Sequence, residues 1–425
     1  MANQSQGLNE DRVACLIGGF IFLLGMAYFW GVDLIGWICK MGMWVGDPMK
    51  CFKAAHKGYM EGWQALICTY VFVTVMLAVG IKLMKGNVFR FIIAFTVVYF
   101  IAICCYVIGA NAYIAANPTQ IAKMGVPWAL GLSTEAGLIV ALIVGIIIGN
   151  LFPSVVEYLH EACRPELFVK IAIVILGCEL GVKAASAAGF AGVVIFRGLC
   201  AIVEAYLLYW AFVYYVARKF FKFNKEWAAP LASGISICGV SAAIATGGAI
   251  ASGAITESLI LTKAAGNGTN WEPGWIQMVT TTVKIFIDMF IGVWAFVLAY
   301  IWTKHFDPEA KKGRAMSWGD VWDRFPRFVL GYVITFLIML GICIVSPDLH
   351  KTAAQISGPI NGLRTLFFLL TFFSIGMISN FRKLLEEGIG RLAIVYIVCL
   401  FGFIIWIGLF ISWLFFHGMT PPLAQ

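Results

Sequence analysis

The sequence predicts an all-α polytopic membrane protein with about eleven transmembrane helices, an inverted repeat and broken, discontinuous helices. Three observations lead there. Of the 425 residues, 61% are hydrophobic and 12% charged, against roughly 25% charged in an ordinary soluble domain, so a water-facing shell cannot be built. Long stretches hold no Asp, Glu, Lys or Arg: between Arg90 and Lys123, Glu135 and Glu157, Glu226 and Glu257, Arg327 and Asp348, and beyond Arg391. Each reaches or exceeds the roughly 20 apolar residues that cross a bilayer core. The third observation is that Lys and Arg gather in short connectors between the apolar runs.

Taken in order, apolar windows bounded by charge, Gly or Pro place spans near 13–38, 60–84, 89–115, 127–151, 168–190, 192–217, 227–252, 275–303, 326–346, 360–381 and 391–416. Helices follow because backbone polar groups in lipid must be satisfied within the segment. Residues 1–126 are read as extra N-terminal transmembrane helices and 127–425 as a transporter domain. Within that domain, repeat 1 covers about 137–254 and repeat 2 about 326–416.

The connectors test the order of crossing. Lys82, Lys85 and Arg90; Arg218, Lys219, Lys222 and Lys225; Lys304, Lys311, Lys312, Arg314, Arg324 and Arg327; and Arg382, Lys383 and Arg391 all fall on one side, which the positive-inside rule makes cytoplasmic. The expectation is a multi-pass protein of the bacterial inner membrane, N-terminus in the cytoplasm and C-terminus outside. One connector disagrees, because Lys40, Lys50, Lys53 and Lys57 would face outward. A re-entrant or interfacial segment there would remove the conflict.

The repeat rests on two stretches laid side by side at a constant offset, ILGCELGVKAASAAGF from Ile175 and FSIGMISNFRKLLEEGI from Phe373. Gly177 then falls on Gly376, Lys183 on Arg382 and Gly189 on Gly388, while GIIIGNLFP from Gly145 resembles GICIVSP from Gly341. An odd number of spans separates the copies, so they lie upside down relative to each other. That arrangement belongs to alternating-access transporters with a substrate site near mid-membrane.

Between Ala232 and Gly253 the apolar pattern gives way to ASGISICGVSAAIATGGAIASG. So many glycines make a poor continuous helix, and a broken helix offers N–H groups and a positive dipole end to an anion. Ser236, Cys238, Gly239 and Ser241 are the expected substrate-facing turn; close packing through small residues is the other reading.

SGISICGVSAAIAT resembles the SICG motif of the YeiH-like family, bacterial membrane proteins named for sulfate export. Further likenesses follow in the same order: GIIIGNLFP, KIAIVILG from Lys170, TVKIFIDMFIG from Thr282 and the Phe373 segment. The likeness runs over roughly 137–416. It implies a fold like that of the bile-acid symporter and cation–proton antiporter superfamily, with crossing broken helices, and a small anion such as sulfate, sulfite or a sulfonate. The sequence departs from the family after SICG. Relatives have a further span and then a His-acid-x-x-Gln element, whereas here Glu257, Ser258 and Leu261 occupy those positions.

Ionisable residues inside spans are functional by default. Lys284 and Asp288 stand at i, i+4, where they can pair, and Lys284 matches the family's Val-Lys position. Lys284 is the candidate cation on an anion path, and Asp288 and Glu257 are candidate carriers of H⁺ or Na⁺. Arg197 with Glu204, and Glu179 with Lys183, are further pairs; Ser379 and Asn380 lie at the second copy's turn.

The expectation is a secondary active transporter of a small anion, with a cation–proton (Na⁺/H⁺) antiporter and a non-transport receptor or anchor subunit as the alternatives. No catalytic residue, metal site or cofactor is assigned, since no HExxH, Walker A or GxGxxG occurs in a suitable context. The 12 cysteines show no CxxC or Cys/His spacing and read as small core residues. The +8 net charge reflects membrane orientation, not nucleic-acid binding. The polar, acidic N-terminus lacks the basic head of a cleavable signal peptide. Partners are the anion, membrane lipid and a second copy in a homodimer.

Overall fold

The computed structural model describes residues 8–116, 118–188, 205–233, 235, 294, 297–298, 300–301, 304, 327–381 and 389–407, which are helical apart from their connections and one short hairpin. The chain divides into two units. One comprises Met1–Ala116, Met124–Ala185 and Ala295–Asn380, the other Asn117–Lys123, Ser186–Trp294 and Phe381–Gln425.

In the first unit, α1 (Glu10–Met26) opens at Asn9, whose side chain accepts from the Asp11 amide, and carries Glu10 and Asp11 at the positive end of its dipole. A 3-10 turn, Ala27–Trp30, continues it to Gly31. With φ at 79°, Gly31 takes the left-handed conformation that glycine tolerates without strain. The helix therefore stops short of the expected end at residue 38. The lysine-rich connector that broke the charge pattern is neither a span nor a re-entrant helix. It forms the hairpin β1 (Cys39–Met41) and β2 (Phe52–Ala54), antiparallel with Cys39 opposite Ala54. Alternation buries Cys39 and Phe52 and exposes Lys40 and Lys53; Lys50 and Lys57 are exposed as well.

Next come α2 (Gly62–Leu83), started by a capping box between Glu61 and Gln64, and α3 (Val88–Gly109), capped by Asn87. The short α4 (Ala112–Ala115) and α5 (Pro118–Met124) lead to α6 (Ala136–Leu151) and α7 (Pro153–Leu159). A bend of 114° separates α6 from the Pro153–Ala162 segment. Pro153 disfavours helical geometry at Phe152, which leaves the helical region (φ −127°, ψ 69°). Then follow α8 (Pro165–Ala188), α9 (Trp210–Lys219), α10 (Lys225–Ser233), α11 (Arg327–Val345), α12 (His350–Ile378) and α13 (Ile389–Cys399). In the second unit, Val213 and Ala217 of α9, Ala228 and Ala232 of α10, and Val395 and Cys399 of α13 share a small core.

Among the described residues, six helices are long and apolar enough to span a membrane, or seven if the bent pair is one span. The expected spans near 192–217, 227–252 and 275–303 lie largely outside those residues. The outer faces of the first unit are apolar: Val71, Val75 and Val79 of α2 and Ile139, Ile143 and Ile147 of α6 are exposed at helical spacing. Such stripes are untenable in water and ordinary against lipid. Inside, Phe95 of α3 meets Phe168 of α8, which meets Phe367 of α12, with centroids 6.3 and 6.5 Å apart.

Glycines bring several helix pairs to backbone contact, α8 with α11 and α6 with α12 among them. A methyl group on Gly177 or Gly181 of α8 would collide with α11 around Tyr332–Phe336 and Phe336–Leu340 respectively. One on Gly145 or Gly149 of α6 would collide with α12 at Phe373–Met377, and one on Gly376 with Leu142 and Gly145. Small residues let helix backbones approach where lipid supplies no hydrophobic drive. In the α8–α11 pair the contact register climbs together along both helices, so the pair runs parallel. Thr335 Oγ1 fastens it by donating to the Val174 carbonyl at 2.8 Å.

Candidate functional site

Among the described residues of the first unit, one carboxylate lies deep in the apolar interior, Glu179 of α8, at 7% exposure. Ile171, Ala172, Val174, Ile175 and Cys178 of the same helix are fully buried, so from Ile171 onward α8 is apolar until Glu179 interrupts it. A carboxylate taken from water costs several kcal/mol after relaxation unless charges meet it, roughly as for any buried ion.

Two cations meet it. Lys183, one turn on, places Nζ 2.5 Å from Oε1, and Arg364 of α12 places Nη2 3.3 Å from Oε2. Arg364 is steered by its own helix: Nε donates to Asn361 Oδ1 at 2.7 Å, and the guanidinium lies over the Phe368 ring, 5.9 Å from its centroid. The Lys183 side chain is 45% exposed and that of Arg364 26%, so the group is sealed at the carboxylate and open at the cations. Glu179 Oε2 makes no aligned hydrogen bond, and among the described residues Arg364 Nη1 donates to none. Two positive charges against one negative leave the trio formally +1.

A second polar cluster lies where the hairpin loop meets α12. Asp33 Oδ2 is 2.5 Å from His56 Nδ1, and Asp33 Oδ1 accepts from the Gly36 amide at 2.7 Å. Tyr59 Oη donates to the Asp33 carbonyl at 3.2 Å, and Tyr28 Oη to Gln355 Oε1 at 2.8 Å. Burial pushes the Asp33 carboxyl up, but the hydrogen bonds from His56 and the Gly36 amide act against it, and the group is held below its ordinary value. At the start of α8, Lys170 pairs with Asp11 at 2.9 Å and Glu166 at 3.0 Å, and Arg164 with Glu10 at 3.4 Å. These pairs tie α8 to α1.

Of the residues singled out in the sequence, Glu179 and Lys183 form the pair expected of them. Ser379 follows the last residue of α12. Its Oγ donates to the Ile375 carbonyl at 2.6 Å, and its own carbonyl accepts from Asn150 Nδ2 at 2.9 Å. Asn380 follows it, exposed. Ser236, Cys238, Gly239, Ser241, Glu257, Lys284 and Asp288, and the Arg197–Glu204 pair, lie outside the described residues. Among the residues not singled out are Arg364, Asn361 and Asn150. Two carried a signal, since Arg364 is the sole charge in the run from Pro359 to Ile378 and Asn150 the sole polar side chain in α6. Neither signal names a partner.

Comparison with known proteins gives a family model and several relatives. Residues 126–263 match the model described as Conserved hypothetical protein 698. A UPF0324 membrane protein of Nitrosomonas europaea is 34% identical over 477 residues, covering 97% of this chain and 96% of its own. An uncharacterized protein of Archaeoglobus fulgidus is 47% identical over 187 residues, 39% of this chain and 97% of its own. A UPF0324 membrane protein of Rhodopirellula baltica is 26% identical, over 88% of this chain and 70% of its own. No solved structure matches. The Nitrosomonas alignment is longer than the 425 residues here, so that relative carries residues without a counterpart in this chain.

Proposed function

The chain belongs to the UPF0324 membrane-protein family, and from that premise we propose that it is a secondary active transporter moving a small anion across the cell membrane by alternating access. The observation that carries the reading is the +1 trio of Glu179, Lys183 and Arg364, open at its cations and enclosed by apolar helices. Charge in such a place is retained where it serves a pathway.

Two further features support the reading. Upside-down copies of a helix hairpin that exchange partners produce parallel cross-pairs, which is the sense of the α8–α11 contact; α6 against α12 supplies the reciprocal pair. Phe152–Pro153 breaks a helix after a stretch that the repeat reading assigns to the first copy. The resemblance to the YeiH-like family and its superfamily adds sulfate, sulfite or a sulfonate as the substrate class. Ser236, Cys238, Gly239, Ser241 and Lys284 remain candidate ligands, beside Ser379 and Asn380. Asp288 and Glu257 remain candidates for coupling to H⁺ or Na⁺. The same reading has the N-terminus in the cytoplasm, the C-terminus outside, a homodimer as the assembly, and no enzymatic step.

Counterflow of labelled sulfate, sulfite and methanesulfonate in proteoliposomes tests the reading. Accumulation of at least one anion that is lost in Arg364→Ala supports it. Absence of flux for every anion, with Na⁺-dependent collapse of a pH gradient instead, would replace it by the Na⁺/H⁺ antiporter; absence of both would favour a receptor or anchor.

A further inference from the structure

We infer that Arg364 and Lys183 bind the anion directly, and that Glu179 takes up a proton when that anion is doubly charged and none when it is singly charged. The inference rests on the proposed anion specificity and adds the coupling.

Arg364 has the required shape. Its Nε is committed to Asn361 and one Nη2 edge faces Glu179, while Nη1 donates to nothing among the described residues. An oxyanion arriving at that edge meets N–H groups already oriented and not yet spent, the arrangement that favours bidentate recognition. Lys183 Nζ, on the same carboxylate, adds a second positive group on a side chain that is 45% exposed. Glu179 itself occupies part of this anion field, and its Oε2 has close approach to Arg364 without an aligned hydrogen bond.

Charge balance then sets the proton count. With Glu179 ionised the trio is +1, so a monoanion brings it to neutrality. A dianion leaves −1, and an uncompensated charge in an apolar interior is expensive. Protonation of Glu179 restores neutrality, because Lys183 and Arg364 then supply +2. The groups that face Glu179 are Lys183 from α8, Arg364 from α12, and the thiol of its neighbour Cys178, itself close to Cys343 of α11. Among the described residues no other carboxylate or imidazole contacts it, so it is the group positioned to take the proton.

The test is calorimetric titration of the full-length protein in detergent with sulfate and with methanesulfonate, between about pH 5.5 and 8, in buffers of different ionisation heat. For sulfate, affinity should fall by up to about tenfold per pH unit with uptake of up to one proton, as linkage requires. For methanesulfonate it should be level, with no uptake. Glu179→Gln should keep sulfate binding and lose its pH dependence, and Arg364→Ala should weaken both anions at least tenfold. Equal pH slopes for the two anions, an undiminished slope in Glu179→Gln, or no binding of either anion overturns the inference. Should Glu179→Gln fail to fold, the proton count for the wild-type protein decides alone. Proton-linked binding without flux in proteoliposomes would sink the transporter reading and leave this one standing; flux without the charge-dependent slope would do the reverse.

Discussion

His56 Nε2 lies 3.1 Å from the main-chain oxygen of Gln355, the carbonyl that α12 would ordinarily give to the amide of residue 359. Pro359 has no amide hydrogen. The loop that carries the hairpin thus delivers a ring nitrogen to the backbone acceptor that Pro359 leaves unserved within the helix. Asp33 holds the ring from the other side through Nδ1. Both ring nitrogens therefore face oxygen atoms, one from each side of the loop's contact with α12.

Removal of that ring should loosen the hairpin and α12 together. His56→Ala strands a part-buried carbonyl and a carboxylate, for a loss of about 1–3 kcal/mol. Adding Pro359→Ala returns an amide to the helix, and part of the loss should be recovered. Melting of the two single variants and the double variant in detergent measures the coupling; strict additivity would count against the relation between His56 and Pro359.

Acid should weaken the same contact through Asp33. Its carboxyl is held below the ordinary 3.8, so its contribution is fully present above that pH and is lost as pH falls through the lower folded value. Hydrogen exchange of the His56 amide, which donates to the Gly36 carbonyl at 2.9 Å, reports the loop. Normalised for intrinsic rate, protection should be level from neutrality to about pH 4 on this account and fall below it. In Asp33→Asn the fall should vanish.

Two helix glycines with different surroundings should respond in opposite ways to a methyl group. Gly376→Ala drives Cβ to 2.9 Å from Gly145 Cα and against the Leu142 carbonyl, neither able to move aside. Overpacking of this kind costs about 1–3 kcal/mol. Gly341, in α11, has nothing within 4 Å of the place a methyl group would take. Gly341→Ala should leave melting unchanged or raise it by up to about 1 kcal/mol through helix propensity.

Asn150→Leu keeps the branched shape and removes both bonds from Nδ2, to the Ile146 carbonyl at 2.8 Å and the Ser379 carbonyl at 2.9 Å. A loss of about 1–2 kcal/mol is expected. Ser379→Ala removes only a local bond back to Ile375 and should cost less. Equal losses in the two variants would mean that the link between α6 and the end of α12 carries no weight.

The charge-free stretches read directly as helices because lipid punishes any unpaired backbone group, and the limits near 89 and 326–346 agree with Val88 at the start of α3 and with α11 at Arg327–Val345. Pro359 misled the same reading. A span near 360–381 starts where proline ordinarily starts a helix, whereas α12 begins at His350 and runs through it. The interruption is tolerable because His56, far away in the chain, serves the freed carbonyl.

By itself, then, the sequence determined the solvent in which the protein lives, the helical class of its segments and the existence of the Glu179–Lys183 pair, since all three follow from composition and from spacing within one segment. Tertiary structure alone decided that Arg364 completes that pair, that Asn150 closes on Ser379, and that a lysine-bearing connector folds as a hairpin against α12. The reason is geometric. A partner on another helix is chosen by how close two backbones come, and that distance is set at Gly145, Gly177 and Gly376 by what stands opposite each glycine.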